Sequence, residues 1–293
     1  MSRETHPPGA RSDRDNGPSV AALVRRHDRD RYQTALFAPA GRREALLALY
    51  AFNYEIARVR ESVTEPMLGL IRLQWWREVL DAAYAGTPPR QHPVVLPLAA
   101  AIRDFGLSRG PFGRLIDSRE RDLADEPPAS LAALEDYAEA SAAPLVQLAL
   151  EVLGARAPPP DDIARPLGIG YALSGLLRAM PFHARAGRSY IPADIAQREG
   201  LDARDYLAGQ TTPALRAAVR EIAEVAVRHL RAAREYRAAI PRSAIAALLP
   251  AIVAGRFLAR LRRAGYDPFA PVLPTPDPRQ IWQLALSALL ARF

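Results

Sequence analysis

Residues 41–63 read GRREALLALYAFNYEIARVRESV, and this stretch decides the fold class. Its apolar side chains recur at intervals of three and four residues, at Ala45, Leu49, Phe52, Ile56, Val59 and Val63. That spacing places one apolar stripe along a helix, because an α-helix has about 3.6 residues per turn. The stretch therefore predicts an amphipathic helix with one buried face.

The same helical spacing continues along the chain, and prolines and glycines separate one helical segment from the next. We predict further helices at residues 66–84, 94–105, 112–123, 130–153, 161–180, 212–239, 243–264 and 280–293, with a bend at Pro250. Alternating runs of β-branched residues, which would indicate strands, are absent. We expect an all-α protein of about ten helices, folded as one domain over residues 19–293 behind a disordered polar leader at residues 1–18.

The composition excludes several classes of function. The chain has no cysteine, which rules out disulfides, iron–sulfur ligation and thiol catalysis and is typical of a cytoplasmic protein. All 39 basic residues are arginine and they are interleaved with acids, so the net charge of +7 indicates solvated helix faces and no nucleic-acid partner. No run of about 20 apolar residues is free of charge and proline, so we expect a soluble protein, at most peripheral to the inner membrane.

Several segments between residues 30 and 198 resemble squalene and phytoene synthases, in the same order and at similar spacing. The segment at 49–61 resembles the helix that leads into the first aspartate-rich motif of that family, and 168–179 resembles the second motif. Shorter matches lie at residues 73–78, 92–94, 122–123 and 187–192. The resemblance implies an isoprenoid-synthase-like helical bundle.

The chemistry of that family depends on magnesium ions, which neutralise the diphosphate leaving group of an allylic substrate. Magnesium needs hard oxygen ligands, and the family supplies them as aspartates on two facing helices. In this chain the aspartate positions are occupied by Ala57, Arg58, Glu61, Ala179 and His183. The family also has a glutamine and an asparagine in the second motif, at the positions of Ala172 and Gly175, and we expect Pro181 to interrupt the second helix. The resemblance therefore implies no catalytic residue, no metal site and no cofactor. Mg²⁺ would be needed only if the chain were an active farnesyl or geranylgeranyl diphosphate transferase.

A residual ligand site is an alternative that the residues leave open. Its candidate members are Asn53, Arg58, Trp75, Trp76, Arg178, Arg188 and Tyr190. The tryptophans could line a cavity for a prenyl chain, although aromatic residues at such helical positions more often belong to the core. The arginines could hold a phosphate, since guanidinium groups bind phosphate oxygens in pairs, or they could form ion pairs with acids such as Glu55.

Within the family, the chain strongly resembles a non-enzymatic branch, the mitochondrial assembly factors of respiratory complex I. The likeness lies at residues 51–57, 62–65, 69–76, 119–120, 134–139 and 177–181. It implies a catalytically inactive protein that binds a protein client, with a complex I subunit as the expected partner. A prenyl transferase with a degenerate site and a non-catalytic prenyl-lipid binder remain the alternatives.

The C-terminal half contains an apolar segment, 244–254, that leads into Arg256, Arg260, Arg262 and Arg263. An amphipathic basic helix at 244–263 could lie on an anionic membrane surface. A buried helix with an arginine-rich outer face explains the same pattern, and this is the interpretation that we favour.

Overall fold

The computed structural model describes residues 19–124, 126–156, 161–275 and 277–293. Within those ranges the chain forms thirteen α-helices and no strand, which confirms the predicted all-α fold. The helices are α1 (Val20–His27), α2 (Arg29–Ala35), α3 (Ala40–Ala57), α4 (Pro66–Tyr84), α5 (Val95–Phe105), α6 (Arg109–Glu120), α7 (Leu131–Val152), α8 (Asp161–Arg185), α9 (Ala193–Glu199), α10 (Ala203–Leu207), α11 (Pro213–Glu235), α12 (Pro250–Arg263) and α13 (Gln280–Leu290). The predicted leader at residues 1–18 lies outside the described residues.

The structure has more helices than the ten or so that were predicted, because four helices are too short for a periodic pattern to reveal. These are α1, α2, α9 and α10, which have between five and eight residues each. The long predicted helix at 41–63 also ends early, at Ala57, and a separate 3₁₀ turn follows at Arg60–Ser62. These short elements matter for function, since α2 lies against the candidate site.

The predicted end of the second motif helix is wrong. That helix, α8, does not stop at Met180 but continues through Pro166 and Pro181 to Arg185. Each proline removes one backbone hydrogen bond, yet the helix persists because it packs along its length against α7 and α11. Pro181 therefore does not interrupt the helix between Ala179 and His183, and both residues belong to one continuous face.

Helices α7, α8 and α11 form the centre of the fold, and two glycines of α8 allow the close contacts. A Cβ atom at Gly168 would lie 2.5 Å from the backbone nitrogen of Ala143 on α7. A Cβ atom at Gly170 would lie 2.7 Å from Leu230 on α11. The backbone of α8 therefore approaches both neighbours too closely for any side chain at these positions.

Substitution of Gly168 by alanine is expected to lower the free energy of unfolding by about 1–3 kcal/mol, because the methyl group would collide with the α7 backbone. Gly175 on the same helix is the matched control, since a Cβ atom there would meet no heavy atom within 4 Å. Gly175→Ala should stabilise the protein by about 0.5–1 kcal/mol through helix propensity. Urea unfolding of both variants measures the difference, and equal effects would contradict the packing that we describe.

The apolar part of the segment 244–263 is buried. Each residue from Ala244 to Ala254 is at most 9 % exposed, so this surface faces the core. In the part of the chain that the structure describes, no single helix is both long and apolar enough to cross a membrane. The helical segments Arg242–Leu248 and Pro250–Arg263 meet at 40°. Together they have the length and apolar composition of a membrane span, and neither has them alone.

Candidate functional site

The first-motif positions lie where α3 ends. Ala57 is the last residue of α3, Arg58 follows as its C-cap, and Glu61 lies in the 3₁₀ turn that comes next. The Arg58 guanidinium is 3.7 Å from the carboxylate of Glu55 and its central carbon is 5.5 Å from the ring centroid of Tyr54. Arg58 therefore interacts with its own helix. Because the pair is accessible to solvent, it contributes little to stability.

The second-motif positions share one face of α8, since Ala172, Gly175, Ala179 and His183 follow each other at intervals of three or four residues. All four residues are partly accessible. The face borders open space, because an added Cβ atom at Gly175 would meet nothing. It presents one imidazole and no carboxylate.

These positions do not fit the magnesium ions of squalene and phytoene synthases. Alanine and glycine side chains offer no ligand atom, and the charge of Arg58 would repel a cation. Only Glu61, among the seven motif positions, carries a carboxylate. Over the described ranges of the chain, no three His, Asp or Glu side chains come together as a group that could hold a metal ion. No reaction step through a metal follows from this arrangement.

A cation of the protein itself lies between α3 and α8. The guanidinium carbon of Arg31, on α2, is 5.7 Å from the ring centroid of Tyr50 on α3 and 4.6 Å from that of Tyr171 on α8. Asp28 neutralises this charge at 2.7 Å. Tyr50 lies about two helical turns before Ala57, whereas Tyr171 directly precedes Ala172, so Arg31 joins the two helices beside the first of the α8 motif positions.

The surroundings of Arg31, Tyr50 and Tyr171 determine the protonation states of these three side chains. Burial by itself would lower the pKa of Arg31, but the neighbouring Tyr171 and Asp28 raise it above the ordinary value, so the guanidinium stays protonated. Burial also raises the pKa of Tyr171 to about 12, and that of Tyr50 further still. Both rings are therefore neutral faces for the cation at physiological pH, a contact worth about 1 kcal/mol each.

Arg178 of α8 lies on the same side of the molecule as Arg31, but its guanidinium is directed to Asp30. Its guanidinium forms an ion pair with Asp30 on α2. The amide of Gln280, at the start of α13, donates hydrogen bonds to Asp30 at 3.2 Å and to Gln33 at 3.0 Å. Arg178 thus fastens α2 to α8, and Gln280 fastens α2 to α13.

A second polar cluster lies near the other end of the α8 face, around Asp122. Its carboxylate accepts hydrogen bonds from Tyr137 at 2.6 Å, from Tyr190 at 3.1 Å and from Arg119 at 3.2 Å. The ring of His183 lies 4.8 Å from that of Tyr190. Tyr190 therefore fastens the loop after α8 to the 3₁₀ turn Arg121–Leu123, which follows α6, and lies beside Tyr137 of α7.

The seven residues predicted for a residual ligand site do not form one pocket. Arg188 and Tyr190 line a cavity of about 190 Å³ together with Asp122 and Tyr137. The other five are not among the residues that line it. The sequence interpretation missed Arg31, because neither α1 nor α2 was predicted; an N-cap aspartate at position 28 was the one local signal.

The two tryptophans pack against aromatic neighbours. Trp76 is 4 % exposed and meets Phe52 edge-on at 5.3 Å. Trp75 lies 4.9 Å from Trp76 and 5.5 Å from His92, and the guanidinium of Arg90 lies over its ring. Trp76 is therefore part of the core, and Trp75 covers it from the partly exposed side.

Two buried polar atoms on the motif helices lack a hydrogen-bond partner among the described residues: the Oδ1 atom of Asn53 and the Nδ1 atom of His183. Asn53 is 7 % exposed and lies one helical turn before Ala57. Buried polar atoms are usually paired, so each of these atoms is a place where a water molecule or a ligand atom would bind favourably.

His183 should make stability depend on pH. Burial, and secondarily the positive charge of Arg188, lower its pKa to about 4 from 6.5. The unfolded chain then binds more protons than the folded one between these values, so stability falls as the pH drops from about 6.5 to about 4. We expect a loss on the order of 2 kcal/mol that is absent in His183→Phe. Urea unfolding at both ends of the window tests this, and an equal loss in both proteins would contradict it.

The sequence of this chain is similar to those of several known proteins. The squalene/phytoene synthase family matches residues 24–288. The complex I assembly factor 6 of Bos taurus is 34 % identical over 251 residues, which cover 86 % of this chain and 75 % of that protein. A presqualene diphosphate synthase of Rhodopseudomonas palustris is 27 % identical over 217 residues, covering 74 % of this chain and 77 % of that enzyme.

A solved structure shows the same fold. The squalene synthase HpnC from Alicyclobacillus acidocaldarius superimposes with a TM-score of 0.75 at 23 % identity, covering 85 % of this chain and 94 % of that one. At this level of identity the likeness concerns the fold alone. The arrangement of α3 and α8 is therefore shared with an enzyme, whereas only one of the carboxylates expected there, that of Glu61, is present in this chain.

Proposed function

The chain belongs to the squalene/phytoene synthase family, and from this premise we propose that it is a catalytically inactive member that assists the assembly of respiratory complex I. The observation that carries the proposal is the loss of the carboxylate at four of the five positions where the family has aspartates, namely Ala57, Arg58, Ala179 and His183. A prenyl synthase cannot neutralise its leaving group without those ligands. The assembly role is supported by the relatives named complex I assembly factor 6, at 33–34 % identity in mammals.

An assembly factor acts by binding a client, and α4 offers an exposed apolar surface for one. Met67 is 63 % exposed and Ile71, one turn later on the same face, is 58 % exposed. Apolar side chains on adjacent turns of an exposed face are typical of protein-binding surfaces. The segment that resembles the assembly-factor branch at 69–76 also lies in α4. We therefore assign the α4 face, defined by Met67 and Ile71, to a complex I subunit.

Gene deletion in the source organism tests the assembly role. We expect less fully assembled complex I on native gels and a matching loss of NADH:ubiquinone oxidoreductase activity, both restored by the wild-type chain. Met67→Ser with Ile71→Ser should fail to restore assembly, because the α4 face would lose its apolar contacts. Leu207→Ser is the matched control, since Leu207 is exposed on α10, away from α4. Normal complex I in the deletion strain would refute the proposal.

The prenyl transferase alternative has weaker support. It rests on the presqualene diphosphate synthases among the relatives. Those similarities extend over most of the chain, but they do not supply the missing carboxylates. The prenyl-lipid binder likewise gains nothing from Trp75 and Trp76, which are occupied by contacts with each other and with His92.

A further inference from the structure

Helix α13 turns an apolar surface towards solvent. It contains no charged residue between Gln280 and Leu290. Leu284 and Ser287 face the core, whereas Trp282 and Leu289 on the opposite side are 79 % and 77 % exposed. Leu286 lies between them and is also exposed. Such a face, which we call the α13 face and define by Trp282, Leu286 and Leu289, is unusual on the surface of a protein without a partner.

A cationic groove of about 940 Å³ runs beside this helix, between α11 and α12. Its lining includes six arginines, at positions 231, 234, 256, 260, 263 and 279. Among the described residues that line it, Asp277 is the only acid, and it is already paired with Arg256. Burial and the charge of Arg231 lower the pKa of Arg234, as expected where positive charges outnumber negative ones.

The groove and the α13 face are held side by side. Gln283 of α13 lines the groove and accepts a hydrogen bond from Arg256. At the other end of α13, Arg234 donates to the carbonyl of Phe293 at 2.9 Å, and Arg237 donates to that of Ala291 at 3.0 Å. A ligand that covers the exposed apolar side chains would therefore also meet the arginines.

We propose that the α13 face and this groove form one docking surface for a bilayer that contains anionic phospholipids. The apolar side chains enter the boundary between headgroups and acyl chains, and the arginines bind headgroup phosphates. Tryptophan is favoured at that boundary because its ring is amphipathic. The groove shares Arg256, Arg260 and Arg263 with the segment 244–263, but the apolar contact with the bilayer comes from α13 and not from the buried residues 244–254. The surface acts independently of the complex I proposal.

The combination of charge and apolar surface favours a bilayer over other occupants. A nucleic acid would match the arginines but would leave Trp282 and Leu289 without apolar contacts. A second copy that docked through the same surface would bring two arginine-lined grooves together, and like charges oppose such an interface. An anionic bilayer satisfies both components at once.

Vesicle flotation tests the proposal, with vesicles of phosphatidylcholine alone and vesicles that also contain phosphatidylglycerol. The wild-type protein should float only with the anionic vesicles. Trp282→Ser with Leu289→Ser should bind them at least about tenfold more weakly, because two large apolar contacts are lost. Arg231→Gln with Arg263→Gln should also bind about tenfold more weakly and with a smaller dependence on salt. Leu96→Ser with Leu207→Ser, which removes two exposed leucines outside the α4 face and the α13 face, is the matched control and should bind normally.

Tryptophan fluorescence adds a direct measurement of insertion. Emission should shift to shorter wavelength on addition of anionic vesicles, and the shift should disappear in Trp282→Phe, which keeps an apolar ring and still binds. Equal flotation with both vesicle types, or unchanged binding of Trp282→Ser with Leu289→Ser, would overturn the proposal. The proposal would also be overturned if the protein bound neither type of vesicle and instead bound duplex DNA or formed a dimer through Trp282. Loss of lipid binding with normal complex I assembly would separate this surface from the proposed function.

Discussion

Replacement of Asp122 by alanine should lower the free energy of unfolding by about 3–5 kcal/mol. The carboxylate is 9 % exposed and holds three partners, Arg119, Tyr137 and Tyr190. Its removal leaves a largely buried guanidinium without its counter-charge and two partly buried hydroxyls without their acceptor, and each loss is costly in a poorly solvated site. It also frees the loop after α8, which Tyr190 fastens.

Asp117 supplies the matched control for this substitution. It lies on α6, five residues before Asp122, and also bonds an arginine, Arg77, at 2.7 Å, but it is 65 % exposed. Asp117→Ala should therefore cost only about 0.5 kcal/mol, because water replaces the lost partner. Urea unfolding of the two variants gives the comparison. An Asp122 variant that loses no more stability than the Asp117 variant would contradict the role that we assign to the cluster.

Replacement of Asp28 by alanine has the second largest expected effect, about 2–4 kcal/mol. Asp28 does two things at the junction of α1 and α2. Its carboxylate pairs with Arg31 at 2.7 Å, and it caps α2 by accepting a hydrogen bond from the Arg31 backbone nitrogen at 3.1 Å. The variant would leave the Arg31 charge largely buried between Tyr50 and Tyr171 with only their rings as partners.

A double-mutant cycle separates the ion pair from the helix cap. In Arg31→Met, the buried charge is absent, so the further change Asp28→Ala should cost only about 1 kcal/mol, the typical value of a cap. Asp81→Ala, in which an exposed pair with Arg109 is broken, is the surface control. Equal costs of Asp28→Ala in the presence and absence of Arg31 would show that the ion pair contributes nothing.

The fold could be predicted from the sequence because its long helices carry their own signal. The apolar stripe at 41–63 predicts a helix where α3 is found. Ser130 precedes an apolar run, as an N-cap serine typically does, and it caps α7. The C-terminal end of α8 could not be predicted, since a proline such as Pro181 ordinarily ends a helix. In the folded chain α7 and α11 support the helix on both sides, and such tertiary support has no local signature.

The candidate site was predictable only in part. Loss of a carboxylate at Ala57 or Ala179 can be read directly, because side-chain chemistry does not depend on the fold. Arg31 could not be found in this way, since it acts between Tyr50 and Tyr171, residues 19 and 140 positions further along the chain. The contact exists only once α2 packs against α3. Long-range pairs of this kind are set by topology and not by spacing.

A diphosphate-release assay tests directly whether the protein is catalytically inactive. Farnesyl and geranylgeranyl diphosphate would be incubated with the wild-type protein and with Arg58→Ala, with and without Mg²⁺, beside a presqualene diphosphate synthase as the positive control. We expect no release above the protein-free background in any condition, because the motif positions offer only one carboxylate, that of Glu61. Mg²⁺-dependent release by the wild-type protein would contradict it and would mean that other carboxylates hold the metal.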